Sequence, residues 1–485
     1  MSKLNADSIL LIHPLGYRAE DAGRDISRVA NLMPPLGLAS IAAYLERAGM
    51  TVEIIDCFAH PQADRLIVET LQRMRPAWIG FSCTTSSFLD GVRLTRLAKQ
   101  TLPGIRSLFG GAHVSALKEK VLADYPEVDL VTVGEGEETL CEVLQAGDEL
   151  ENLKGVVVRG HDGTPLFTGY RDKLLELDTL PFPAYEKLAG FPHSYRLPIF
   201  NYPKAPNTSC LSSRGCPYAC SYCDRSVFRR SFRFNSAEYM IEHLKHLKNR
   251  FGIRHVNFYD DQFTFNRKRV SEFCQRMLDE KLEMTFNCAV RAEHIDLELL
   301  REMKSAGCWM ASLGIESGDP ELLAQHRQNP DLDMLAGKIR MIKQAGIRTK
   351  GLLMLGLPGE SEESVKHSME YVFSLPIDDF NLAKFTPFPG SPLYEKIHEL
   401  GSFEEDWEKM DCMHFQFVPH GFTRERLEEL FIHFYKSHFQ RPRVLLGYMA
   451  MLWKSPDSWK RFLLNLTDFL RFARGNKRVA EESDA

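Results

Sequence analysis

The chain has 485 residues, of which 44% are hydrophobic and 26% charged, and its formal net charge is −5. This composition is ordinary for a soluble globular protein, and the length predicts about two to four domains. The acidic total gives no reason to expect a nucleic-acid partner. No apolar run approaches the roughly 20 residues that cross a bilayer, which excludes an integral membrane protein.

The amino-terminal segment and the cysteine usage predict a cytoplasmic location. The start, MSKLNADSILLIHPLG, lacks the basic flank and apolar core of a secretion signal. The eleven cysteines are odd in number and unevenly spread, so they do not suggest a disulfide framework. A reducing compartment would keep them as thiols.

Residues 8 to 145 alternate short apolar runs typical of strands with amphipathic helical patterns. The strand segments are SILLIH (8–13), TVEIIDC (51–57), AWIGFSC (77–83), IRSLFGG (105–111) and VDLVTVG (128–134). Apolar strands that alternate with helices predict a doubly wound, Rossmann-like parallel sheet. Residues 151–207 follow as a proline-rich connector, with a hairpin predicted at Asp162-Gly163.

Small, polar and glycine-rich segments follow four of these strands. They read HPLG, SCTTSS, GGAHVS and GEGEE. Ligands of doubly wound sheets bind beyond the carboxyl ends of the strands, and glycine lets a large ligand approach the backbone. Each segment alone is consistent with an ordinary strand-to-helix connection, but four on one edge favour a binding site.

A second alternation of strand and helix patterns covers residues 208 to about 395. Its strand segments are TSCLSSRG, HVNFYDD, MTFNCAV, WMASLGIES, RTKGLLMLGLP and FNLAKFTPFPG. Six such strands predict a parallel barrel or partial barrel, whose active site would lie at the carboxyl ends of its strands.

From residue 403 the sequence is helical and aromatic. Residues 436–478 contain ten Lys or Arg and two Asp or Glu, a local balance of +8. Together with Trp453, Trp459, Phe462 and Phe469, this segment is suited to contact with anionic lipid headgroups. The alternative is a helical lid whose apolar face packs on the barrel.

Three cysteines lie close together in RGCPYACSYCDR (214–225), directly after the first barrel strand: Cys216, Cys220 and Cys223. A structural zinc site normally has four ligands, and the nearby Cys210 falls within the strand. Three thiolates on a four-iron cluster leave one iron free to bind a substrate or cofactor.

CPYACSYC resembles the signature of the radical S-adenosylmethionine superfamily, and YDDQF, SLGIES and MLGLPGE are similar to its further motifs in the expected order. In that family a [4Fe-4S] cluster binds S-adenosylmethionine through its free iron and cleaves it to a 5′-deoxyadenosyl radical. The resemblance implies that Cys216, Cys220 and Cys223 hold the cluster. The residues that it places near S-adenosylmethionine are Tyr222, Asp260, Asp261, Arg291, Ser312, Glu316, Gly356 and Gly359.

The resemblance extends through PPLGLASIAAYLERAG and VGEGEETL to the cobalamin-binding subgroup, and it covers roughly residues 8 to 395. Members of that subgroup include class B radical methyltransferases and the anaerobic magnesium-protoporphyrin monomethyl ester cyclase. The implied cobalamin residues are Ser82, Thr84, Thr85, Gly110, Gly111, Gly134, Glu135 and Gly136. The segment IHPLG has His13 and Gly16 of a DxHxxG motif but lacks its aspartate, so cobalamin is expected without a histidine ligand.

The predicted organisation is a cobalamin-binding α/β domain (1–150), a connector (151–207), a partial (β/α)6 TIM-type radical S-adenosylmethionine barrel (208–400) and a helical, basic region (401–485). The predicted reaction is cobalamin-dependent methylation of an unactivated carbon in a hydrophobic, lipid- or tetrapyrrole-like metabolite. A radical cyclase or rearrangement enzyme is the alternative. Expected partners are an electron donor such as flavodoxin or ferredoxin and, at the inner face of the membrane, lipid bound peripherally through 436–478.

Two other functions are less consistent with the sequence. A tRNA methylthiotransferase would need a second three-cysteine site in its first domain; Cys57, Cys83 and Cys141 are present, but Cys141 lies in a helical pattern. A non-catalytic cobalamin sensor is disfavoured because the cysteine triplet and the acidic and glycine motifs are intact.

Overall fold

The computed structural model describes residues 4–16, 32–60, 62–147 and 149–466. Its first sheet has seven strands in the order β2-β1-β3-β4-β5-β6-β7. They are β1 (Asn5–His13), β2 (Thr51–Asp56), β3 (Pro76–Ser82), β4 (Arg106–Gly110), β5 (Leu130–Thr132), β6 (Val156–Arg159) and β7 (Pro165–Phe167). The first five strands are parallel, as predicted.

The hairpin predicted at Asp162-Gly163 is present, but it belongs to the first sheet. Strands β6 and β7 pair antiparallel with each other, and β6 pairs antiparallel with β5. The beginning of the predicted connector therefore extends the sheet, because an exposed β5 edge offers unpaired backbone groups that a hairpin can satisfy.

Helices cover both faces of this sheet. They are α1 (Leu36–Arg47), α2 (Ala63–Met74), α3 (Phe88–Thr101), α4 (Ala112–Leu117), α5 (Glu119–Asp124) and α6 (Glu137–Gln145). Ile9 and Leu11 of β1 belong to the core that contains α1 and α6, whereas Leu10 and Ile12 belong to the core that contains α2 and α3. The alternation of side chains along a strand therefore buries both faces.

The second sheet consists of six parallel strands in the order β15-β14-β13-β12-β11-β8, which confirms the predicted partial barrel. They are β8 (Asn207–Cys210), β11 (His255–Phe258), β12 (Thr285–Val290), β13 (Cys308–Glu316), β14 (Arg348–Leu355) and β15 (Asp379–Lys384). The short antiparallel pair β9 (Ser213–Arg214) and β10 (Arg233–Phe234) flanks the cysteine loop.

The helices of the barrel are α7 (Ala237–Phe251), α8 (Arg267–Asp279), α9 (Leu297–Ser305), α10 (Pro320–His326), α11 (Leu332–Gln344) and α12 (Glu362–Ser374). Each begins at a capping side chain that accepts a hydrogen bond from a backbone N–H of the first turn. The caps are Ser236, Asn266, Asp296, Asp319, Asp331 and Ser361. These caps define where each loop at the carboxyl edge of the barrel ends.

The remaining elements are α13 (Ile397–Leu400), β16 (Gly401–Phe403), β17 (Phe417–Pro419), α14 (Arg424–Phe439), α15 (Pro442–Lys454) and α16 (Pro456–Leu464). Helix α14 packs on β15, where the backbone N–H of Leu382 donates to the Tyr435 hydroxyl at 3.1 Å and Phe434 lies against Phe380. The helical packing considered as an alternative is therefore correct for α14.

Of the three aromatic residues singled out in the described part of the tail, Trp453 is 79% exposed. Trp459 and Phe462 are half-buried against Phe200, and Phe469 lies outside the described residues. Within the described ranges, every helix is too short or too polar to cross a bilayer.

Candidate functional site

A large cavity lies where the carboxyl edge of the first sheet meets the start of the barrel. It measures about 1160 Å³ with the solvent at its mouth included. From the first sheet it is lined by six of the eight predicted cobalamin residues: Ser82, Gly110, Gly111, Gly134, Glu135 and Gly136. The facing wall includes Leu211, Ser213 and Arg214 of the barrel. The predicted edge and the segment that follows the first barrel strand therefore share one cavity.

The glycines on this edge are required by backbone geometry. Gly111 has φ +103°, and a Cβ there would lie 2.5 Å from the carbonyl oxygen of Cys83. Gly134 has φ +91°, and its N–H donates to Ser115 Oγ at 3.1 Å. Because neither position tolerates a side chain, bare backbone forms this part of the wall.

Thr84 and Thr85 do not line the cavity, which corrects the prediction for both. Thr84 N–H donates to Ser87 Oγ at 3.0 Å, and the buried Thr85 hydroxyl lies 3.3 Å from His113 Nδ1. Their side chains close the turn into α3, because strand β3 ends at Ser82 and the chain then bends away from the cleft.

The inner part of the cavity is apolar. It runs between the sheet and helices α1 and α6, and its lining includes Leu11, Leu38, Ile41, Leu108 and Leu140. Such a lining suits an apolar or aromatic portion of a ligand whose polar portion lies at the glycine-rich rim.

His13 is held away from this cavity. Its Nδ1 lies 2.9 Å from Asp56 Oδ1, and its ring lies 4.9 Å from the ring of Phe58. It is absent from the lining residues, which supports the expectation that it is no cobalt ligand.

A cluster of charges joins the two sheets beside the cavity, and sequence reasoning missed it. Arg214 contacts Glu137 at 2.6 Å and Glu135 at 2.5 Å, and Arg233 also pairs with Glu135. Ser40 Oγ donates to Glu137 at 2.7 Å. The carboxylate of Glu135 therefore binds two arginines of the barrel while the residue also lines the cavity.

The pKa of the Glu137 carboxyl group reflects its interaction with Arg214. Burial raises the pKa of Glu137, but the charge and hydrogen bonds of Arg214 outweigh burial and hold this pKa below its ordinary value. Two features of the sequence could have predicted this charge cluster: the acidic GEGEE after β5, and the arginine directly before the Gly-Cys of the cysteine loop.

The three cysteines of the loop lie between β9 and β10. Cys220 is buried, Cys216 is half-buried and Cys223 is exposed. Hydrogen bonding from the neighbouring Cys223 thiol lowers the pKa of Cys220 to about 5. Gln262 Nε2 donates to Cys216 Sγ at 3.6 Å. The loop therefore presents clustered thiols, one already favouring its thiolate form.

The number of thiols in the cysteine loop suits an iron–sulfur cluster. Across the part of the chain that the structure describes, no three His, Cys, Asp or Glu side chains are placed to hold one ion. The donor set fits a larger iron–sulfur group, which separates its thiolates more widely and leaves one iron without a cysteine.

The two neighbouring aspartates after β11 differ in their surroundings. Asp260 is buried and accepts from Ser212 N at 2.6 Å and from Ser212 Oγ, with Arg269 at 3.9 Å. Asp261 is exposed beside Cys216. Burial raises the pKa of both. The carboxylate of Asp260 is therefore occupied by Ser212 and Arg269, whereas Asp261 is exposed.

Arg291 lies near the cysteine loop. Its guanidinium stacks on the Tyr218 ring at 3.6 Å and donates to Glu293 at 2.8 Å. Tyr218 in turn has its hydroxyl 2.7 Å from His294 Nε2. Arg291 is thus fixed by stacking and by one carboxylate, and its charge also acts on Cys220.

Glu316 ends strand β13 in a strained conformation next to the cysteine loop. Its φ is +64°, and burial raises its pKa to about 7, with Arg327 opposing that rise. Its side chain also bonds Tyr222, whose ring packs beside Leu322, Leu357 and Phe385. Ser312 lies on the same strand and is half-buried. A left-handed non-glycine residue here is typical of a functional site.

Gly356 and Gly359 follow β14 with φ of +90° and +82°. The N–H of Gly356 donates to the carboxyl group of Glu360, and burial raises the pKa of that group to about 8. The buried Glu360 thus stabilises the turn from inside, and the exposed Gly359 is the part of the turn that a ligand can approach.

Comparison with known proteins agrees with the division of the chain into a cobalamin-binding domain and a radical S-adenosylmethionine barrel. Residues 25–144 match the family model described as B12 binding domain, and residues 211–372 match the model described as Radical SAM superfamily. The chain therefore combines a B12-binding domain with a radical S-adenosylmethionine domain, in the predicted order.

Two relatives extend over most of the chain. The chain is 29% identical over 419 residues to the uncharacterized methyltransferase PH0819 of Pyrococcus horikoshii, covering 85% of this chain and 89% of the relative. It is 25% identical over 452 residues to the anaerobic magnesium-protoporphyrin IX monomethyl ester cyclase of Rubrivivax gelatinosus, covering 90% and 78%.

Among solved structures, the cobalamin-dependent S-adenosylmethionine radical enzyme OxsB, with aqua-cobalamin and S-adenosylmethionine bound, has the same fold. The TM-score is 0.69 at 16% identity, covering 96% of this chain and 75% of that one. The two domain matches, together with relatives named as a methyltransferase and a cyclase, show that the chain is a radical S-adenosylmethionine enzyme and confirm the predicted cofactors, a [4Fe-4S] cluster, S-adenosylmethionine and cobalamin.

Proposed function

We propose that this enzyme methylates an unactivated carbon of a small hydrophobic metabolite, such as a lipid or tetrapyrrole. The observation that carries this proposal is the shared cavity, which the glycine-rich sheet edge and the segment after the first barrel strand form together. A methyl carrier bound at that edge would lie beside the barrel in which the substrate radical forms. The likeness to a methyltransferase over 85% of the chain supports the proposal.

Three cysteine thiolates, Cys216, Cys220 and Cys223, would hold the cluster. The cluster, when bound, supplies the electron that cleaves S-adenosylmethionine. Residues at the carboxyl edge of the barrel would position S-adenosylmethionine for this cleavage. Asp261 would accept a hydrogen bond from its ammonium group, and Arg291 would bind its carboxylate.

The rest of S-adenosylmethionine would contact the ends of β13 and β14. Glu316 and Ser312 provide oxygens for the ribose hydroxyls or the methionine part. Gly356 and Gly359 let the adenine approach the chain, and Tyr222 flanks it. Asp260 holds Ser212 in place and is not part of this contact.

Cobalamin would bind with its polar rim on the backbone of Gly110, Gly111, Gly134 and Gly136, near Ser82. Cobalamin, when bound, would carry the methyl group. The apolar inner cavity would take an aromatic portion of the cofactor, and Glu135 would keep the barrel's arginines at the rim.

We also propose four regions with the boundaries 1–150, 151–207, 208–400 and 401–485. The β6–β7 hairpin lies within 151–207 but belongs to the domain of the first sheet. A small electron-transfer protein of the flavodoxin or ferredoxin type would reduce the cluster. The chain would associate peripherally with the inner face of the membrane through its basic tail.

A radical cyclase is the second candidate. It is favoured by the 25% identity to a tetrapyrrole cyclase over 90% of this chain. The same residues would bind the shared cofactors in both enzymes. The choice between methylation and cyclisation therefore depends on the group with which the substrate radical reacts.

One experiment separates the candidates. Anaerobically reconstituted enzyme with reductant is incubated with S-adenosylmethionine labelled in its methyl group and with cell extract. Label in a product supports methylation, whereas deoxyadenosine formed without label transfer supports cyclisation or rearrangement. Cys220→Ala should abolish both, and deoxyadenosine formation that survives this substitution would contradict the cluster assignment.

A further inference from the structure

Helix α16 has its polar side turned toward the protein. Ser458 and Arg461 are buried. Ser458 Oγ accepts from Phe200 N at 3.0 Å, and Arg461 Nη1 donates to Leu197 O at 2.9 Å. A surface helix of a water-soluble protein normally has the opposite arrangement, with its apolar side buried. The outer side of α16 is therefore built for surroundings other than water.

That outer side, together with the outer side of α15, is apolar. Five side chains are between 54% and 79% exposed: Leu446, Met449, Trp453, Leu463 and Leu464. The inner side of α15 already packs on the protein through Val444 and Met451, both buried. We call the five exposed side chains the apolar face. An exposed apolar patch on neighbouring helices marks a surface that contacts something else.

The charges around the apolar face have one sign. The exposed charged residues between 441 and 466 are Arg443, Lys454 and Lys460. The one acidic residue in that stretch, Asp457, is half-buried and accepts from the Tyr202 hydroxyl at 2.7 Å. Cations around exposed leucines and a tryptophan complement the anionic headgroups and apolar chains of a lipid surface.

The apolar face lies at the amino ends of the barrel strands. Tyr448 donates to Asp379, the first residue of β15, at 2.9 Å, and Arg348, the first residue of β14, contacts Met451 Sδ at 3.5 Å. The cysteine loop and the cavity lie at the opposite, carboxyl edge. A membrane on the apolar face would therefore leave the cavity uncovered.

We propose that α15 and α16 form an interfacial docking surface for an anionic phospholipid bilayer. The helices have 13 and 9 residues, so they can lie in the headgroup region but cannot cross the bilayer. Trp453 and the leucines enter the apolar boundary, and the three cations contact phosphate. This inference deepens the peripheral association of the proposed function and rests on that part of it alone.

The test measures binding of the purified full-length holoenzyme to vesicles of phosphatidylcholine mixed with phosphatidylglycerol, with pure phosphatidylcholine as comparison. Trp453→Glu combined with Leu464→Glu should weaken binding by at least about 100-fold, because two large apolar side chains no longer enter the lipid. Lys454→Gln with Lys460→Gln should weaken binding to the anionic vesicles about fivefold per charge at low salt. Leu278→Glu, at an exposed leucine of α8, is the matched control and should bind like the wild type.

A second measurement places Trp453 in the lipid. Brominated phospholipid should quench part of the tryptophan fluorescence, and Trp453→Phe should remove that part. The proposal is overturned if wild-type enzyme does not bind anionic vesicles, or if the Trp453/Leu464 variant binds as well as wild type. It is also overturned if the wild type self-associates through this face, seen as dimers that the same variant dissociates.

Cleavage of S-adenosylmethionine by the same variants separates this inference from the reaction. The Trp453/Leu464 variant should form deoxyadenosine at the wild-type rate in detergent-free buffer, because its substitutions lie at the other end of the barrel. Loss of docking with intact cleavage supports the surface, whereas loss of cleavage with intact docking would count against the catalytic proposal only.

Discussion

Adjacent aspartates in one motif have different tasks because one is buried and the other is exposed. The carboxylate of Asp260 is enclosed by Ser212 and the buried Arg269, while Asp261 reaches the open side near Cys216. A sequence motif shows that two carboxylates are present, but the direction of each side chain depends on how the chain turns after β11.

The pair Asp261→Asn and Asp260→Asn tests this division. Asp261→Asn should raise the Kd for S-adenosylmethionine by about tenfold, because one charge-assisted hydrogen bond is weakened, and should leave stability unchanged. Asp260→Asn should instead cost about 3 kcal/mol of unfolding free energy, since it leaves Arg269 buried without its counter-charge. Isothermal titration and urea unfolding of the two variants measure these effects. Equal losses of affinity without loss of stability would contradict the assignment.

The buried Glu360 makes stability depend on pH. Burial raises its pKa in the folded state to about 8, above its ordinary value, so the folded protein retains a proton that the unfolded chain releases. The contribution of this group to stability is therefore fully present at acidic pH. It is lost as pH rises toward 8, by about 1.4 kcal/mol per pH unit.

Glu360→Gln should flatten this dependence, because the amide resembles the protonated acid and does not titrate. We expect the urea midpoint of the variant to fall less steeply than that of the wild type between pH 5.5 and 8, and to be higher than the wild type at pH 8. Glu363→Gln, at a largely exposed carboxylate in the same region, is the control and should keep the wild-type slope. Parallel slopes for wild type and Glu360→Gln would show that Glu360 is ionised in the folded protein.

At the scale of elements, the ends of β3 and β4 build the cavity wall by close approach of two backbones. A Cβ at Gly111 would lie 2.5 Å from the carbonyl oxygen of Cys83, and a Cβ at Gly110 would lie 2.8 Å from the Thr132 hydroxyl. The glycines therefore serve the packing of neighbouring strand ends as well as access for a ligand. Next in sequence to that edge, Thr84 bonds within the turn into α3 and the Thr85 hydroxyl contacts His113 of α4.

Gly111→Ala should reduce the cobalamin bound per chain by about tenfold or more, because the strand end must shift to admit the Cβ. Iron content after reconstitution should stay at the wild-type level, since the cysteine loop lies on another element. Gly104→Ala has a similar positive φ of +93° but space around its Cβ, so it separates backbone strain from the clash. Absorption spectra and iron analysis measure both cofactors. Equal cobalamin loss in both variants would contradict a specific role for the edge.

At the scale of the whole molecule, the two sheets are joined by the charge cluster of Arg214, Arg233, Glu135 and Glu137. Arg214 directly precedes the Gly-Cys of the cysteine loop, and its partners begin α6 of the first domain. The contact therefore fixes the cobalamin edge relative to the loop that would hold the cluster. A buried ion pair of this kind gives little net stability but costs much when one partner is removed.

Arg214→Met should destabilise the protein by about 3 to 5 kcal/mol, because Glu137 stays buried without a counter-charge. Adding Glu137→Gln to this variant should recover part of the loss, since the lone charge is then removed. Arg65→Met, at an exposed ion pair, should change stability by less than about 1 kcal/mol. Thermal unfolding of wild type, these three variants and Glu137→Gln alone measures the coupling, and additive effects of Arg214→Met and Glu137→Gln would contradict it.

The sequence by itself determined the two sheets, their parallel strands, the cysteine loop and the glycine-rich edge. Each of these depends on local features: alternation of apolar strands with helices, ligand spacing within a few residues, and glycine after a strand. Six of the eight cobalamin residues line the cavity because consecutive parallel strands must end on one edge.

Only the tertiary structure decided which side chains remain available to a ligand. Four of the predicted site residues bond to other residues of the chain: Asp260, Glu135, Thr84 and Thr85. The partner is only a few residues away for Thr84 and 28 to 98 residues away for the others, and no local pattern shows such pairings. The polar inner side of α16 was hidden for the same reason, because its partners Leu197 and Phe200 are more than 250 residues earlier in the chain. Long-range contacts determine burial, and burial determines whether a charged or apolar group serves the fold or faces a ligand.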